Sequence, residues 1–170
     1  MSLTKYTESL SRQLPMISNF YRPYYKQLLK SERSLLDFGA IKHMLFIGSG
    51  ADPQSVLEMR RFTDAKIMLC DWDLDMINKA KEKLRLHSVK DVECVHQNGI
   101  FCPFKRFDVV YIAKQVRHKN EIIDKILRCA PKTKVLVRYG RNENLYNQQS
   151  PKKCHYHVRG FTAKTCLYHA

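Results

Sequence analysis

Apolar and polar positions change rhythm near residue 40. Ahead of it, in SNFYRPYYKQLLKSERSLLDFG, Leu28, Leu29, Leu35, Leu36 and Phe38 recur at roughly helical spacing, which predicts helix. Pro15 and Pro23 predict that this region breaks into short helical pieces, and Gly39 predicts its stop. Beyond Gly39, short apolar runs alternate with amphipathic ones. HMLFIG, KIMLC, VECVH, FDVVYIA and KVLVRYG read as strands, and PQSVLEMRRF, LDMINKAKEKLRLH and NEIIDKILRCA as helices. The strand runs are apolar throughout rather than at every second position, as in strands covered on both faces. Strand and helix in turn predict a parallel sheet with right-handed crossovers. CHYHVRG and FTAKTCLYHA predict a closing antiparallel hairpin about Gly160, which brings the strands to seven. The expected class is α/β, with a helical extension over 1–40 and a Rossmann-like domain over 41–170.

Composition refines this picture. A chain of 170 residues, 44% of them apolar, is long enough for one domain with a core. No apolar window approaches the length of a membrane span. MSLTKYTESLSR has no apolar centre and reads as mature protein rather than a secretion signal, so a cytoplasmic location is expected. Cys70, Cys94, Cys102, Cys129, Cys154 and Cys166 form no C-x-x-C pair and are expected as reduced, mostly packed thiols. Thirty Lys and Arg against sixteen Asp and Glu leave a net charge of +14, and from Pro131 onward eight basic residues face one acid, Glu143. Such a surface attracts polyanions, RNA above all, although no RRM or KH signature accompanies it. Lys79, Lys81, Lys83 and Arg85 read as the solvated face of a helix. His155 and His157 would share one strand face near Cys166 and His169, but the spacing matches no zinc pattern and no metal is expected.

The candidate chemistry lies in LFIGSGADPQSVLEM, where the first strand stops at two glycines. In an open α/β sheet a ligand lies at the carboxyl ends of the strands, where the winding reverses. Gly48 and Gly50 let the backbone approach a ligand, with Ser49 between them, and Pro53 suits the first turn of the next helix. No P-loop pattern is present, and Pro53 stands where a dinucleotide turn needs its third glycine. S-adenosylmethionine, a nucleoside without phosphate, is the ligand left. Asp71 ends the second strand, twenty-one residues after Gly50, about the distance at which an acid meets ribose hydroxyls. It also reads as a helix cap, a role that suits Asp73 better. Trp72 is placed to lie against an adenine ring or, equally, to pack in the core. Asn98, after the third strand, would meet the adenine amino group, and Gly99 and Ala113 complete the expected donor-facing set. Lys114, Gln115, Arg138 and Tyr139, following strands four and five, would face the donor, and Tyr24 and Tyr25 would form a lid. A guanidinium such as Arg138 holds a substrate carboxylate in bidentate fashion; a surface ion pair or a solvated side chain is the plainer reading of it, as an exposed lysine is of Lys114.

These motifs resemble the class I methyltransferase superfamily and, more narrowly, nicotianamine synthases. LFIGSGADPQS is similar to an apolar-V-G-S-G-x-x-P motif, FDVVYIAKQV to Y-D-V-V-F-L-A, VLVRYGRNENLY to L-x-x-R-S-x-x-G-x-R-x-x-L-Y and HVRGFTAKTCLYH to L-R-G-F-x-x-x-x-x-x-H. PYY at 23–25 resembles an aromatic element near the substrate in that family. Most class I methyltransferases carry an acid two residues before the first glycine; Phe46 stands there, as an apolar residue does in the synthases. The resemblance implies transfer of the donor's 3-amino-3-carboxypropyl arm, rather than its methyl, to an amine on a small amino-acid-like substrate. It also implies a glutamate from the N-terminal helices, where Glu8 and Glu32 are the glutamates present. SRQLPMISNFYRPYY and DVVYIAK resemble, more faintly, the 16S ribosomal RNA methylases of aminoglycoside resistance, which leaves RNA methylation open. A shortened, non-catalytic relative that binds only the donor is the third reading.

Overall fold

The apolar runs become the strands of one sheet in the computed structural model, which describes residues 15–146, 148–157 and 162–169. The strands are β1 (His43–Ile47), β2 (Lys66–Asp71), β3 (Val92–His96), β4 (Val109–Ile112), β5 (Lys134–Tyr139), β6 (Lys153–Tyr156) and β7 (Lys164–Tyr168), in the order β3-β2-β1-β4-β5-β7-β6. The first five are parallel to one another. β7 pairs antiparallel with both β5 and β6, so the hairpin expected from the sequence is present. Its expected tip at Gly160 lies outside the described residues. The winding reverses between β1 and β4, the position at which open α/β sheets leave a crevice at the carboxyl ends of their strands.

Among the described residues four α-helices flank the sheet: α1 (Pro15–Glu32), α2 (Gln54–Met59), α3 (Leu74–Leu86) and α4 (Lys119–Cys129). Alternation along β1 explains why the run is apolar throughout. Met44 and Phe46 join Leu29, Val56, Met59 and Leu84 on one face, so α1, α2 and α3 cover it. Leu45 and Ile47 join Ile122, Ile123 and Ile126 of α4 on the other. Asp73 caps α3, its carboxylate accepting from the Asp75 and Met76 amides.

Several expectations are corrected. Pro23 does not divide the N-terminal region; it lies inside α1. A proline there removes one backbone hydrogen bond, but Leu28 and Leu29 just beyond it are buried in the core, and burial of that face outweighs local propensity. Gly39 does not end this helix, which stops at Glu32; it lies in a 3₁₀ turn, Phe38–Ala40, where it donates to the Asp37 carboxylate. Cys154 and Cys166 are not thiols. They face each other in the β6–β7 register and form a disulfide, while Cys70, Cys94, Cys102 and Cys129 are free. Within the basic face of α3, Lys83 is not solvated alone; it pairs with Asp52 at 2.8 Å and ties the helix to the glycine turn.

Candidate functional site

At the end of β1 the Ile47 carbonyl accepts from the Ala113 amide of the neighbouring strand, and the Gly48 amide donates to the Cys70 carbonyl. The chain then turns through two left-handed residues, Gly48 (φ +81°) and Gly50 (φ +61°), a region where side chains are strained. The two glycines differ in their surroundings. A Cβ on Gly48 would meet Val116 Cγ2 at 2.3 Å, whereas one on Gly50 would meet only Gln115 Nε2, at 3.9 Å. Gly48 is a packing glycine, whereas a Cβ on Gly50 would make only an ordinary van der Waals contact.

Asp71, at the end of β2, turns toward this loop. One carboxylate oxygen accepts from the Gly50 amide at 3.0 Å and the other from the Asp73 amide at 3.1 Å. A carboxylate has about four acceptor positions, so capacity for hydroxyl donors is left. Trp72 is 73% exposed, which removes its core-packing reading; His96 Nε2 lies 2.8 Å from its carbonyl. Asn98 caps a 3₁₀ turn, Gly99–Phe101, through Oδ1 to the Ile100 amide. A Cβ on Gly99 would lie 2.5 Å from Ile47 Cγ2, so the β3 loop presses against β1. Ser49 is buried, its hydroxyl 3.3 Å from the Gly50 carbonyl.

On the α1 side of the sheet lies a buried ionic network. Arg138 donates from Nε and Nη2 to the two oxygens of Glu32, at 2.8 and 2.9 Å, and from Nη1 to Ser55 at 2.8 Å. Thr165 donates to Glu32 Oε1 at 2.8 Å and the Tyr111 hydroxyl to Oε2. Four donors thus fill the acceptor positions of a carboxylate with no solvent exposure. Burial disfavours the Arg138 charge, but Glu32 and then Tyr111 outweigh it, and the guanidinium holds its proton above its ordinary value. Burial raises the Tyr111 phenol well above its usual range, against the pull of Arg138. Phe46, two residues before Gly48, stacks on Tyr111 with centroids 4.6 Å apart.

Arg138 is therefore neither solvated nor exposed: its bidentate donors are taken by the chain's own carboxylate. It lies within β5 rather than after it, as does Tyr139, whose hydroxyl pairs with Tyr168 at 2.9 Å on the α4 face. Tyr25 lies 6.0 Å from the Arg138 guanidinium and 5.1 Å from Tyr24. Tyr24 accepts from the Thr162 amide and bonds its hydroxyl, both at 3.0 Å. The Lys114 carbonyl accepts from buried Lys119, which also pairs with Glu143, and the loops after β4 and β5 are joined this way. His155 and His157 lie close, with ring centroids 5.0 Å apart. Among the described residues no group of three or more His, Cys, Asp or Glu is placed to hold a metal. No described helix is long and apolar enough to cross a membrane.

Sequence reasoning named Glu32 as a glutamate of the N-terminal helices but not as the partner of Arg138, although a signal was available. It stands in the same helical stripe as Leu28, Leu29, Leu35 and Leu36, and a charge there implies a buried partner. Glu8 lies outside the described residues. Thr165 and Ser55 carry no comparable mark, since their role depends on β7 and α2 meeting over β5.

Strand order, the antiparallel last hairpin and the glycine turn after β1 define the class I S-adenosylmethionine-dependent methyltransferase fold. Among solved structures the chain is similar to a glutamate-to-glutamine mutant of the nicotianamine synthase MtNAS, with a TM-score of 0.78 and 15% identity over 95% of this chain and 67% of that one. The same mutant in complex with S-adenosylmethionine gives 0.79 and 15% over 96% and 70%. An RNA methyltransferase from Salinibacter ruber in complex with S-adenosyl-L-homocysteine gives 0.69 and 18% over 84% and 90%. At these identities the likeness establishes the fold alone, and the chain spans about two thirds of the length of the MtNAS chains. No protein-family model matches the sequence, and no curated protein matches it by sequence.

Proposed function

We propose that this chain binds S-adenosylmethionine at the β1 turn and transfers its 3-amino-3-carboxypropyl group, or its methyl, to an amine of a small amino-acid-like acceptor. The observation that carries the reading is the Asp71 carboxylate hydrogen-bonded to Gly50, at a turn where a Cβ on Gly50 would meet nothing closer than 3.9 Å. Asp71 would take the ribose hydroxyls, the exposed Trp72 ring the adenine face, and Asn98 and Gly99 the adenine edge. Gly48, Ser49, Gly50 and Ala113 would line the rest. The donor supplies a carbon already activated by a sulfonium. What remains for the chain is to align the acceptor and exclude water. Tyr24, Tyr25 and Lys114 are the groups proposed to border the acceptor. Arg138 acts as a positioning residue, because it holds Glu32 and, through it, Tyr111 and Thr165 in one arrangement.

The test is incubation with donor and a panel of α-amino acids and amines, followed by mass spectrometry of the nucleoside product. Methylthioadenosine is expected for carboxypropyl transfer, and S-adenosylhomocysteine for methyl transfer. Absence of donor binding by calorimetry would overturn the reading. Asp71→Asn is expected to weaken donor binding about tenfold to a hundredfold, the range for a hydrogen bond to a charged group. A second reading, RNA methylation, is favoured by the net charge of +14; it predicts S-adenosylhomocysteine together with methyl-labelled RNA.

A further inference from the structure

Two buried thiols lie directly beneath the proposed donor site, and the function proposed above does not use them. Cys70 is the penultimate residue of β2, next to Asp71, and its carbonyl takes the Gly48 amide. Cys102 closes the 3₁₀ turn that begins at Gly99, and its amide donates to the Gly99 carbonyl. Their sulfurs are 3.4 Å apart, and 32 residues of sequence separate them. Cys70 thus adjoins Asp71 within β2, and Cys102 closes the turn that carries Gly99, so each thiol neighbours one of the two segments that would grip the nucleoside.

The hydrogen bonding of the pair is ordered. The Cys102 thiol donates to Cys70, and the Cys70 thiol donates to the Gln97 carbonyl at 3.0 Å. Loss of the Cys102 proton lets the Cys70 S–H turn from the Gln97 carbonyl to the Cys102 sulfur; that hydrogen bond favours the Cys102 thiolate, burial opposes it and nearby Lys125 supports it, with a net lowering below the ordinary thiol value. Cys70 shifts the other way, chiefly through the same hydrogen bond and burial. Cys70 is fully buried, while Cys102 retains 6% exposure. The attacking sulfur is the one nearer to solvent.

We propose that Cys70 and Cys102 are a redox-responsive pair that closes to an intramolecular disulfide under peroxide and thereby alters the β2 and β3 loops. The Cys102 thiolate attacks one oxygen of the peroxide, giving Cys102 sulfenic acid and hydroxide. The Cys70 sulfur then attacks the Cys102 sulfur; the S–S bond forms, the S–O bond breaks, and the hydroxyl leaves with the Cys70 proton as water. A disulfide needs its sulfurs about 2.05 Å apart, so one side has to move inward. Cys70 is fixed in a strand paired on both sides, and the displacement falls on the turn that carries Asn98 and Gly99. Gly99 has no slack against Ile47. Closure therefore distorts the loop rather than sliding it, and this bears on donor affinity if the proposed function holds.

The test treats the full chain with hydrogen peroxide, blocks remaining thiols with an alkylating agent and maps the peptides. A Cys70–Cys102-linked peptide is expected, with Cys94 and Cys129 still alkylated, and dithiothreitol should reverse it. Cys94→Ser should leave the link unchanged. Separate alkylation of Cys70 and Cys102 after peroxide, a link from either to Cys94, or Cys102 sulfinic acid without a link would each overturn the proposal. Calorimetry with S-adenosylmethionine is a separate arm, read only where the reduced chain binds donor. There the oxidised chain should bind about tenfold more weakly, within the usual range of coupling between sites. The peptide map stands whether or not the donor binds, so failure of the thiol pair and failure of the transferase reading are distinguishable.

Discussion

The Glu32–Arg138 pair sets the sharpest residue-level expectation. Both groups are buried and fully bonded, and removing one partner leaves the other as an uncompensated charge. Glu32→Gln keeps the shape and removes the charge; it is expected to destabilise the fold by about 3–5 kcal/mol, read as a lowered urea midpoint. The double variant Glu32→Gln with Arg138→Met should recover part of that loss, because it no longer leaves an unpaired charge buried. Additive losses would mean that the pair is not coupled. Gly48→Ala tests a different kind of constraint. Its Cβ would meet Val116 at 2.3 Å from a left-handed backbone, and Val116 is β-branched with few rotamers to yield into. A loss of about 1–3 kcal/mol is expected. Gly50→Ala, with space around it, should lose only the smaller, conformational part.

At the scale of elements, the C-terminal hairpin carries two separable effects. The Cys154–Cys166 disulfide closes a loop with a sequence separation of 12 residues, for which chain entropy gives about 3 kcal/mol. Cys154→Ala with Cys166→Ala should lower stability by about that amount. His157, just past β6, has its Nε2 2.9 Å from Thr165 Oγ1. Because Thr165 spends its proton on Glu32, the imidazole must be the donor to it. Burial lowers the His157 pKa to about 4, with Glu32 opposing and His155 and Arg138 reinforcing the shift. In the unfolded chain the value is about 6.5. As pH falls from that value to about 4, the unfolded chain takes up a proton that the folded chain refuses. Stability should decline across that window with a slope of at most one proton, about 1.4 kcal/mol per pH unit, and His157→Gln should flatten it in equilibrium unfolding followed against pH.

The same elements mark what was legible in the sequence. Strand runs and amphipathic helices were readable because both faces of the sheet are covered and the period change is strong. The Asp73 cap was readable because its bonds are local. Pro23 misled because the burial of Leu28 and Leu29 that holds α1 together is tertiary. The disulfide was hidden because it depends on the register of β6 against β7, and residues 12 apart become neighbours only once that register exists. Of the candidate site, the glycine turn and Asp71 are contiguous features of strand ends. The partner of Arg138 was not legible, for the opposite reason: Glu32 is 106 residues away, on a helix whose path over the sheet no local pattern fixes.

For the molecule as a whole, net charge and fold point to different acceptors, and ionic strength separates them. A charge of +14 on 170 residues draws any polyanion, so affinity for RNA alone does not establish RNA as the substrate. Phosphate contacts release counterions, and a protein making six or more of them loses about a thousandfold in affinity between roughly 50 and 200 mM salt. An amine held as proposed, bordered by Tyr24, Tyr25 and Lys114, would be screened far less. Under the proposed small-acceptor function, turnover with the best amine should persist across that salt range while RNA binding collapses. RNA should also carry no transferred group after incubation with labelled donor. If activity instead follows RNA occupancy down the salt series and the label appears in RNA, the basic surface is the acceptor platform and the amine reading fails. Charge then directs chemistry, not just encounter, because a substrate bound by its backbone must still deliver one base to the edge between β1 and β4.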